Sequence, residues 1–367
     1  MKKVLRRFAR AVRYPRRYSN LVLQSFYRKF YPSRARYYPS YLQIELSTTC
    51  NMECPRCERS VMSKGILNKH TPLSYFKKLE PILPYVNFIT LGAGLGEPLL
   101  NPEFWQIHNY LKSFGIKVHY TTNGLLLTKE NIEKTFKYRT DSMDISLDSL
   151  KKEVYEKIRP IPHSPFDIVM QHLGEICERK RQLKSKTPTI AIGFAAQKEN
   201  IEEMPSIVRF AKKIGADNVW FTALTCHNKD SVKSSLFNLD KGDIKRIFDE
   251  TENLAKDLNM PIRLPKIFGV NTSKCSCPFI WEMMMLFING DVCCCPHFRD
   301  TRKHFFCIDE GNLIKKETTM PSVILGNLNE ESIEKIWNNR NYKTLRYDNK
   351  RDLNESCKKC YFRYGIH

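Results

Sequence analysis

The sequence predicts an α/β protein in which a partial (β/α)6 barrel is followed by a small cysteine-rich C-terminal extension. Three observations predict it. Across residues 41–260, six short strand-like runs alternate with helical patterns, the rhythm of a parallel sheet covered by helices. After Pro261 that rhythm stops. The 13 cysteines gather at the two ends of this region, with Cys177 and Cys226 standing alone between them.

A chain of 367 residues has room for one large barrel-type domain and an appendage. Its 42% hydrophobic and 27% charged residues are ordinary for a globular protein. The longest apolar run, Met283 to Ile288, is far below the ~20 residues that a spanning helix needs. An integral membrane protein and a wholly disordered one are both excluded.

The first forty residues form a basic arm. They hold Lys2, Lys3, Arg6, Arg7, Arg10, Arg13, Arg16, Arg17, Arg28, Lys29, Arg34 and Arg36, and no acid, and so account for much of the net charge of +21. The arm has no apolar stretch of the kind that drives export, so a cytoplasmic location is expected. Val4, Leu5, Phe8, Ala9 and Val12, and then Leu21, Val22, Phe26, Tyr27 and Phe30, have helical spacing. Such a basic amphipathic segment suits peripheral contact with an anionic membrane surface, although packing on a core is the commoner use of an apolar stripe.

Strands are expected at 42–47, 87–91, 117–122, 142–146, 189–195 and 218–222, and helices at 73–79, 102–114, 129–135, 166–183, 201–214 and 243–259. Gly115, Gly124 and Gly215 stand where a helix or strand should stop. Six such units make an incomplete barrel rather than a closed one of eight. Residues 261–367 form the extension. In it, 281–288 and 291–295 flank Asn289-Gly290, the strongest short hairpin signal, and a helix follows at 332–337.

Directly after the first expected strand comes Cys50-Asn-Met-Glu-Cys54-Pro-Arg-Cys57. It lies at the carboxyl end of that strand, where barrel folds place their chemistry. Three thiolates close together suit three irons of a [4Fe-4S] cluster and leave one iron open; a structural zinc site would normally bring a fourth ligand. Gly94-Leu95-Gly96-Glu97-Pro98 follows the second strand, Asn123 ends the third, Ser146 and Asp148 end the fourth, and Arg159 follows in Lys-Ile-Arg-Pro. Glycines let a backbone approach a ligand closely, a carboxylate accepts from an ammonium, short polar side chains suit a ribose, and a guanidinium suits a carboxylate.

This series resembles the radical S-adenosylmethionine (SAM) superfamily. The resemblance implies that Cys50, Cys54 and Cys57 hold the SAM-binding [4Fe-4S] cluster and that Gly94, Gly96 and Glu97 meet the methionyl amino group. It further implies that Asn123, Ser146 and Asp148 lie at the ribose and Arg159 at the SAM carboxylate. The reaction implied is reductive cleavage of SAM and removal of a hydrogen atom from a substrate carbon, with a flavodoxin- or ferredoxin-type electron donor. One residue departs from the pattern: the position before the third cysteine, commonly aromatic in this family and near the adenine, is Arg56.

At the other end, Cys277 precedes Gly290, Cys295 follows it, and the tail carries Cys357-Lys-Lys-Cys360. A hairpin and a tail each presenting thiolates is also how a zinc ribbon is built. With the front motif present, the pattern resembles the SPASM/twitch class of extension, which implies that Cys277, Cys295, Cys357 and Cys360 ligate an auxiliary [4Fe-4S] cluster. Cys275 competes with Cys277, and Cys293 and Cys294 compete with Cys295. Cys307 stands alone, so one auxiliary cluster is expected.

Substrates in this class are mainly peptides, or sugars and aminocyclitols. A basic arm of forty residues ahead of the barrel is short for a leader-binding domain, so the sequence leans toward a small-molecule substrate, a sugar or aminocyclitol, undergoing oxidation or epimerisation. Peptide modification is the alternative. Cys226, after the sixth strand, could return a hydrogen atom to a substrate radical, and the adjacent His227 could act as a base; a buried packing role is the commoner fate of a free cysteine. A reading of another class is a zinc-containing nucleic-acid-binding protein, its Arg-rich arm interleaved with Tyr14, Tyr18, Tyr27, Tyr31, Tyr37 and Tyr38. That reading leaves Gly96, Glu97, Asn123 and Ser146 unexplained.

Overall fold

The computed structural model describes residues 14–92, 95–161, 165–267, 277–295, 302–309, 312–320, 322–351 and 357. Six parallel strands form the body: β1 (Tyr41–Ile44), β2 (Phe88–Leu91), β3 (Lys117–Thr122), β4 (Ser142–Ser146), β5 (Thr189–Ala196) and β6 (Asn218–Ala223). Each lies within a few residues of its expected place. Side chains on the body strands, such as Leu42, Ile44, Ile89, Leu91, Val118 and Tyr120, are fully buried under the crossover helices. The intervening positions, such as Gln43, His119 and Asp144, are only half-buried, so the helices seal one face of the sheet and polar side chains stand on the other.

A two-residue β7 (Ile262–Arg263) pairs parallel with β6 at one edge, an addition too short to carry a periodic signal. At the other side the sheet continues past β1. Strand β8 (Met283–Leu286) pairs parallel with β1, with Tyr41 opposite Met283 and Ile44 opposite Leu286. β9 (Asp291–Cys293) then pairs antiparallel with β8, and β12 (Gly326–Asn327) with β9. The complete order is β12-β9-β8-β1-β2-β3-β4-β5-β6-β7. The result is an unclosed, TIM-like partial barrel whose sheet runs across the boundary expected at residue 261.

The Asn289-Gly290 turn joins β8 to β9 as its sequence implies. Gly290 has a φ of +92°, and a Cβ there would lie 2.3 Å from the Asn329 amide and 2.6 Å from Asn327 Oδ1. Only glycine fits both the conformation and the space. A separate hairpin, β10 (Arg302–Asp309) with β11 (Asn312–Met320), has no counterpart among the expected elements.

Two expected boundaries shift for identifiable reasons. Strand β1 ends at Ile44 because the chain turns into the cysteine loop: the Ser47 hydroxyl donates to Thr49 O and accepts from its N–H. The helix expected from 201 opens with a 3-10 turn, Ile201–Glu203, before the α-helix Met204–Ile214, which carries Pro205 in its first turn.

The arm contributes a helix, Pro15–Phe30. Arg17 donates to the carbonyls of Gly115 and Phe114, Asn20 exchanges bonds with Tyr38, and Gln24 donates to Trp281 O. Tyr37 is buried, and Tyr27 and Tyr38 pack on the core. Those three rings are therefore withdrawn from the base-stacking role that a nucleic-acid reading requires. Val4 to Val12 of the first apolar stripe lie outside the described residues.

Candidate radical SAM site

The cysteine loop springs from the end of β1 and is fastened on several sides. Arg59 donates to Thr48 O at 3.1 Å and to Asn68 Oδ1 at 2.9 Å. Arg56 donates to Gln197 Oε1 at 2.7 Å and pairs with Glu199 at 2.8 Å, just past the end of β5. Asn228, after β6, donates to Pro55 O at 2.7 Å and to Ser60 Oγ at 3.0 Å. The loop is thus tied to distant parts of the barrel mouth.

Cys54 and Cys57 lie close enough to other cysteines of the loop for like-charge repulsion to raise their thiol pKa, whereas the charge that raises Cys50 is that of Glu97. Burial is the larger cause; it pushes Cys57 up to about 11, with Cys54 and Cys50 adding like-charge repulsion. Cys50 and Cys54 are raised for the same first reason. Half-buried thiols raised in this way become thiolates most readily beside a compensating cation, so the chemistry of the donor set suits a metal cluster, while among the described residues no three such side chains are already gathered closely enough to hold a single ion. Soft sulfur donors agree with iron–sulfur ligation.

The second strand's motif backs directly onto this loop. A Cβ on Gly96 would stand 2.4 Å from Thr49 O and 2.5 Å from Ser47 O, so the glycine is demanded by close packing of two backbones. Glu97 is buried and accepts from Asn123 N at 2.8 Å, Thr122 Oγ1 at 2.8 Å and Leu99 N at 3.3 Å. Burial pushes its carboxyl up to about 7 despite those bonds. A carboxylate has about four acceptor positions, so one remains for a further donor. The Asn123 amide reaches Asn51 at 2.7 Å and Cys50 Sγ at 3.9 Å. Gly94 lies outside the described residues.

Beyond β4, Asp148 and Arg159 form a buried ion pair, Nε to Oδ2 at 2.7 Å and Nη2 to Oδ2 at 2.6 Å. Burial works to lower the Arg159 pKa, and the Asp148 charge outweighs it, so the guanidinium is held more firmly charged than usual. The other Asp148 oxygen accepts from Ala195 N at 2.8 Å. Asp148 therefore joins β4 to β5 and orients Arg159, whose Nη1 points toward Met52 Sδ at 4.0 Å. Ser146 ends β4 opposite Gly193 and is half-buried.

Cys226 is buried, its thiol directed at the carbonyls of Ser231, 3.3 Å away, and Leu224, 3.8 Å away. His227 lies 3.9 Å from Glu58 of the cysteine loop. The loop after β6 thus belongs to the barrel mouth, while the Cys226 thiol is engaged by backbone.

In the C-terminal region, Cys294 sits in the fields of Cys293, Cys357 and Cys277, and burial raises its thiol well above the usual range. Cys295 is half-buried; its N–H donates to Cys293 Sγ at 3.4 Å, and its carbonyl accepts from that thiol at 2.7 Å. Cys275 and Cys360 lie outside the described residues. Two residues that hold this region together, Arg346 and Tyr342, carry no sequence motif: Arg346 is fully buried between Trp337 and Tyr342, 4.2 and 4.7 Å from their ring centres, and Tyr342 donates to Cys293 O at 3.2 Å. Equally silent in the sequence are Gln197 and Glu199, the partners of Arg56. Only a charged residue in an odd place, Arg56 itself, hints at them.

Residues 44–211 match the Radical SAM superfamily, and residues 275–361 match the iron–sulfur cluster-binding SPASM domain. The chain is a radical SAM enzyme with a C-terminal SPASM domain, and it carries the SAM-binding [4Fe-4S] cluster and auxiliary iron–sulfur chemistry of that class. The tungsten-containing aldehyde ferredoxin oxidoreductase cofactor-modifying protein of Pyrococcus furiosus is 23% identical over 326 residues, 88% of this chain and 87% of that one. The mycofactocin maturase MftC of Mycobacterium tuberculosis is 24% identical over 180 residues, 48% of this chain and 43% of its own length. Among solved structures, Streptococcus suis SuiB bound to its precursor peptide SuiA shares the fold with a TM-score of 0.61 at 17% identity, covering 89% of this chain and 71% of that one.

Proposed function

We propose that this enzyme matures a peptide substrate, removing a hydrogen atom from a residue held over the carboxyl ends of β1 to β6. The observation that carries the reading is the likeness, across both domains, to a structure holding a precursor peptide.

In this reading Cys50, Cys54 and Cys57 hold the first cluster, which with SAM supplies a 5′-deoxyadenosyl radical. Cys277, Cys295, Cys357 and Cys360 hold the second, with Cys294 as the competitor that burial brings forward. The backbone at Gly94 and Gly96 and the free acceptor position of Glu97 receive the methionyl ammonium. Asn123 and Ser146 face the ribose. Arg159 presents Nη1 to the SAM carboxylate, and Asp148 keeps its guanidinium in that orientation. His227 and Glu58 stand at the mouth, where a substrate proton would be taken up.

The test is anaerobic incubation of reconstituted enzyme with SAM, dithionite and peptides encoded beside its gene. Peptide-stimulated release of 5′-deoxyadenosine, with deuterium transferred from a labelled peptide residue, is the expected result. Stimulation and deuterium transfer from a sugar or aminocyclitol, and none from any peptide, would overturn it in favour of oxidation or epimerisation.

A further inference from the structure

The helix Pro15–Phe30 is inverted. An amphipathic helix on a globular protein normally buries its apolar stripe; this one buries Arg17, Asn20 and Gln24 and spends their polar groups on backbone carbonyls of the body. The opposite face carries Tyr18, Val22, Phe26 and Phe30 at four-residue spacing, with relative exposures of 50, 53, 45 and 57%. Leu21 and Leu23 flank this ridge, and Tyr31 follows it. Of the twelve large hydrophobic residues exposed among the described residues, seven fall within residues 18–31.

From this geometry we propose that the helix is a docking surface for an anionic membrane, on which the ridge enters the headgroup layer. Three observations select that occupant. The charge is complementary: residues 1–40 contain twelve Lys and Arg and no acid, and although Arg17 is buried and Arg28 pairs with Glu282, Arg16, Lys29, Arg34 and Arg36 are exposed, Lys29 beside the Phe30 ring. Six of those cations lie in the thirteen residues that lead directly into the helix. The ridge is bounded by tyrosines, Tyr18 at one end and Tyr31 just past the other, and its C-terminal half is a tilted contact of Phe26 with Phe30, ring centres 5.1 Å apart. Aromatic rings with a polar edge flanking aliphatic side chains are the composition that sits at a membrane–water boundary. Finally, side chains standing out from a cylindrical helix meet a soft planar layer without needing a matching groove. No helix among the described residues is long and apolar enough to cross the membrane, so the contact is peripheral.

The inference does not depend on the substrate. Reconstituted full-length enzyme is sedimented with vesicles of equimolar phosphatidylglycerol and phosphatidylcholine, and with phosphatidylcholine alone. Binding to the anionic vesicles only, weakened by salt, is expected. The triple variant Val22→Ser, Phe26→Ser, Phe30→Ser changes solvent-facing side chains, and its iron content and melting temperature should match the wild type. Its partitioning should fall at least about tenfold. Arg16→Gln and Lys29→Gln should each weaken binding by up to about fivefold. The proposal is overturned if wild-type enzyme stays in the supernatant with anionic vesicles, or if the triple variant binds as well as the wild type. It is overturned equally if the ridge instead joins two copies, seen as a dimer that the triple variant dissociates and that ignores vesicles.

Discussion

The two cysteine regions of this enzyme are built on opposite plans. At the front, Cys50, Cys54 and Cys57 belong to one loop of eight residues, and the barrel merely fastens that loop through Arg56, Arg59 and Asn228. At the back, Cys277, Cys294 and Cys357 come from three separate stretches, brought together because β8 pairs with β1 and because Arg346, Trp337 and Tyr342 fill the space behind them. A local motif can be read from its spacing. A site assembled from distant segments cannot, since its geometry resides in the packing between them.

The comparison is broken most completely by removing the front site. Replacing Cys50, Cys54 and Cys57 by Ala should abolish 5′-deoxyadenosine formation with dithionite while leaving the back cluster's iron in place, measured as iron per chain and by its visible absorption. Loss of all iron would show that the two regions fold as one unit.

The back site is sharpened by a pair of single variants. Cys295→Ala should remove the back iron and keep the front. Cys294→Ala should keep both clusters and cost stability through the cavity it leaves, about 1–2 kcal/mol by thermal or denaturant unfolding. The reverse pattern would make the more deeply buried Cys294 the ligand.

Within the front site, Arg159→Met leaves Asp148 buried and without its cationic partner. Breaking a buried pair in this way costs about 3–5 kcal/mol, readable as a lowered denaturation midpoint together with weakened SAM binding. An unchanged midpoint would mean that Asp148 finds another donor.

The smallest expected effect is on pH. The Glu97 carboxyl, raised from 4.5 to about 7 chiefly by burial, is largely protonated below that value. An incoming ammonium favours the ionised form, so SAM binding expels a proton below neutral pH. Affinity should therefore climb as pH rises toward about 7 and level off above it, with a slope no steeper than about tenfold per unit. Glu97→Gln should flatten that dependence in an equilibrium titration. A slope retained in the variant would assign it to another group.

The barrel is largely legible in the amino-acid sequence. Its strands carry runs of buried aliphatic residues, its breaks carry glycines, and each motif falls at a strand end. Less legible is everything that depends on which strand lies beside which. The βα rhythm ends at 261, yet the Met283–Leu286 strand extends the barrel sheet beside β1. The stripe of Leu21, Val22, Phe26 and Phe30 has the spacing that core packing would more commonly bury, whereas hydrogen bonds from Arg17, Asn20 and Gln24 turn the helix over. Hydrophobic periodicity reports that a helix has two faces, and it is silent on which face the body accepts.

The sequence by itself determined the class of chemistry, because three cysteines within eight residues, a Gly-Leu-Gly-Glu-Pro motif and an Asn-Gly hairpin signal act through covalent spacing and local backbone preference. Only the tertiary structure decided that Glu97 grips the end of β3, that Asp148 orients Arg159, that Cys277 and Cys357 come near Cys294, and that the helix Pro15–Phe30 shows its apolar side to solvent. Each of those rests on contacts between residues far apart in the chain, whose energies depend on burial and hydrogen-bond geometry that no local pattern encodes.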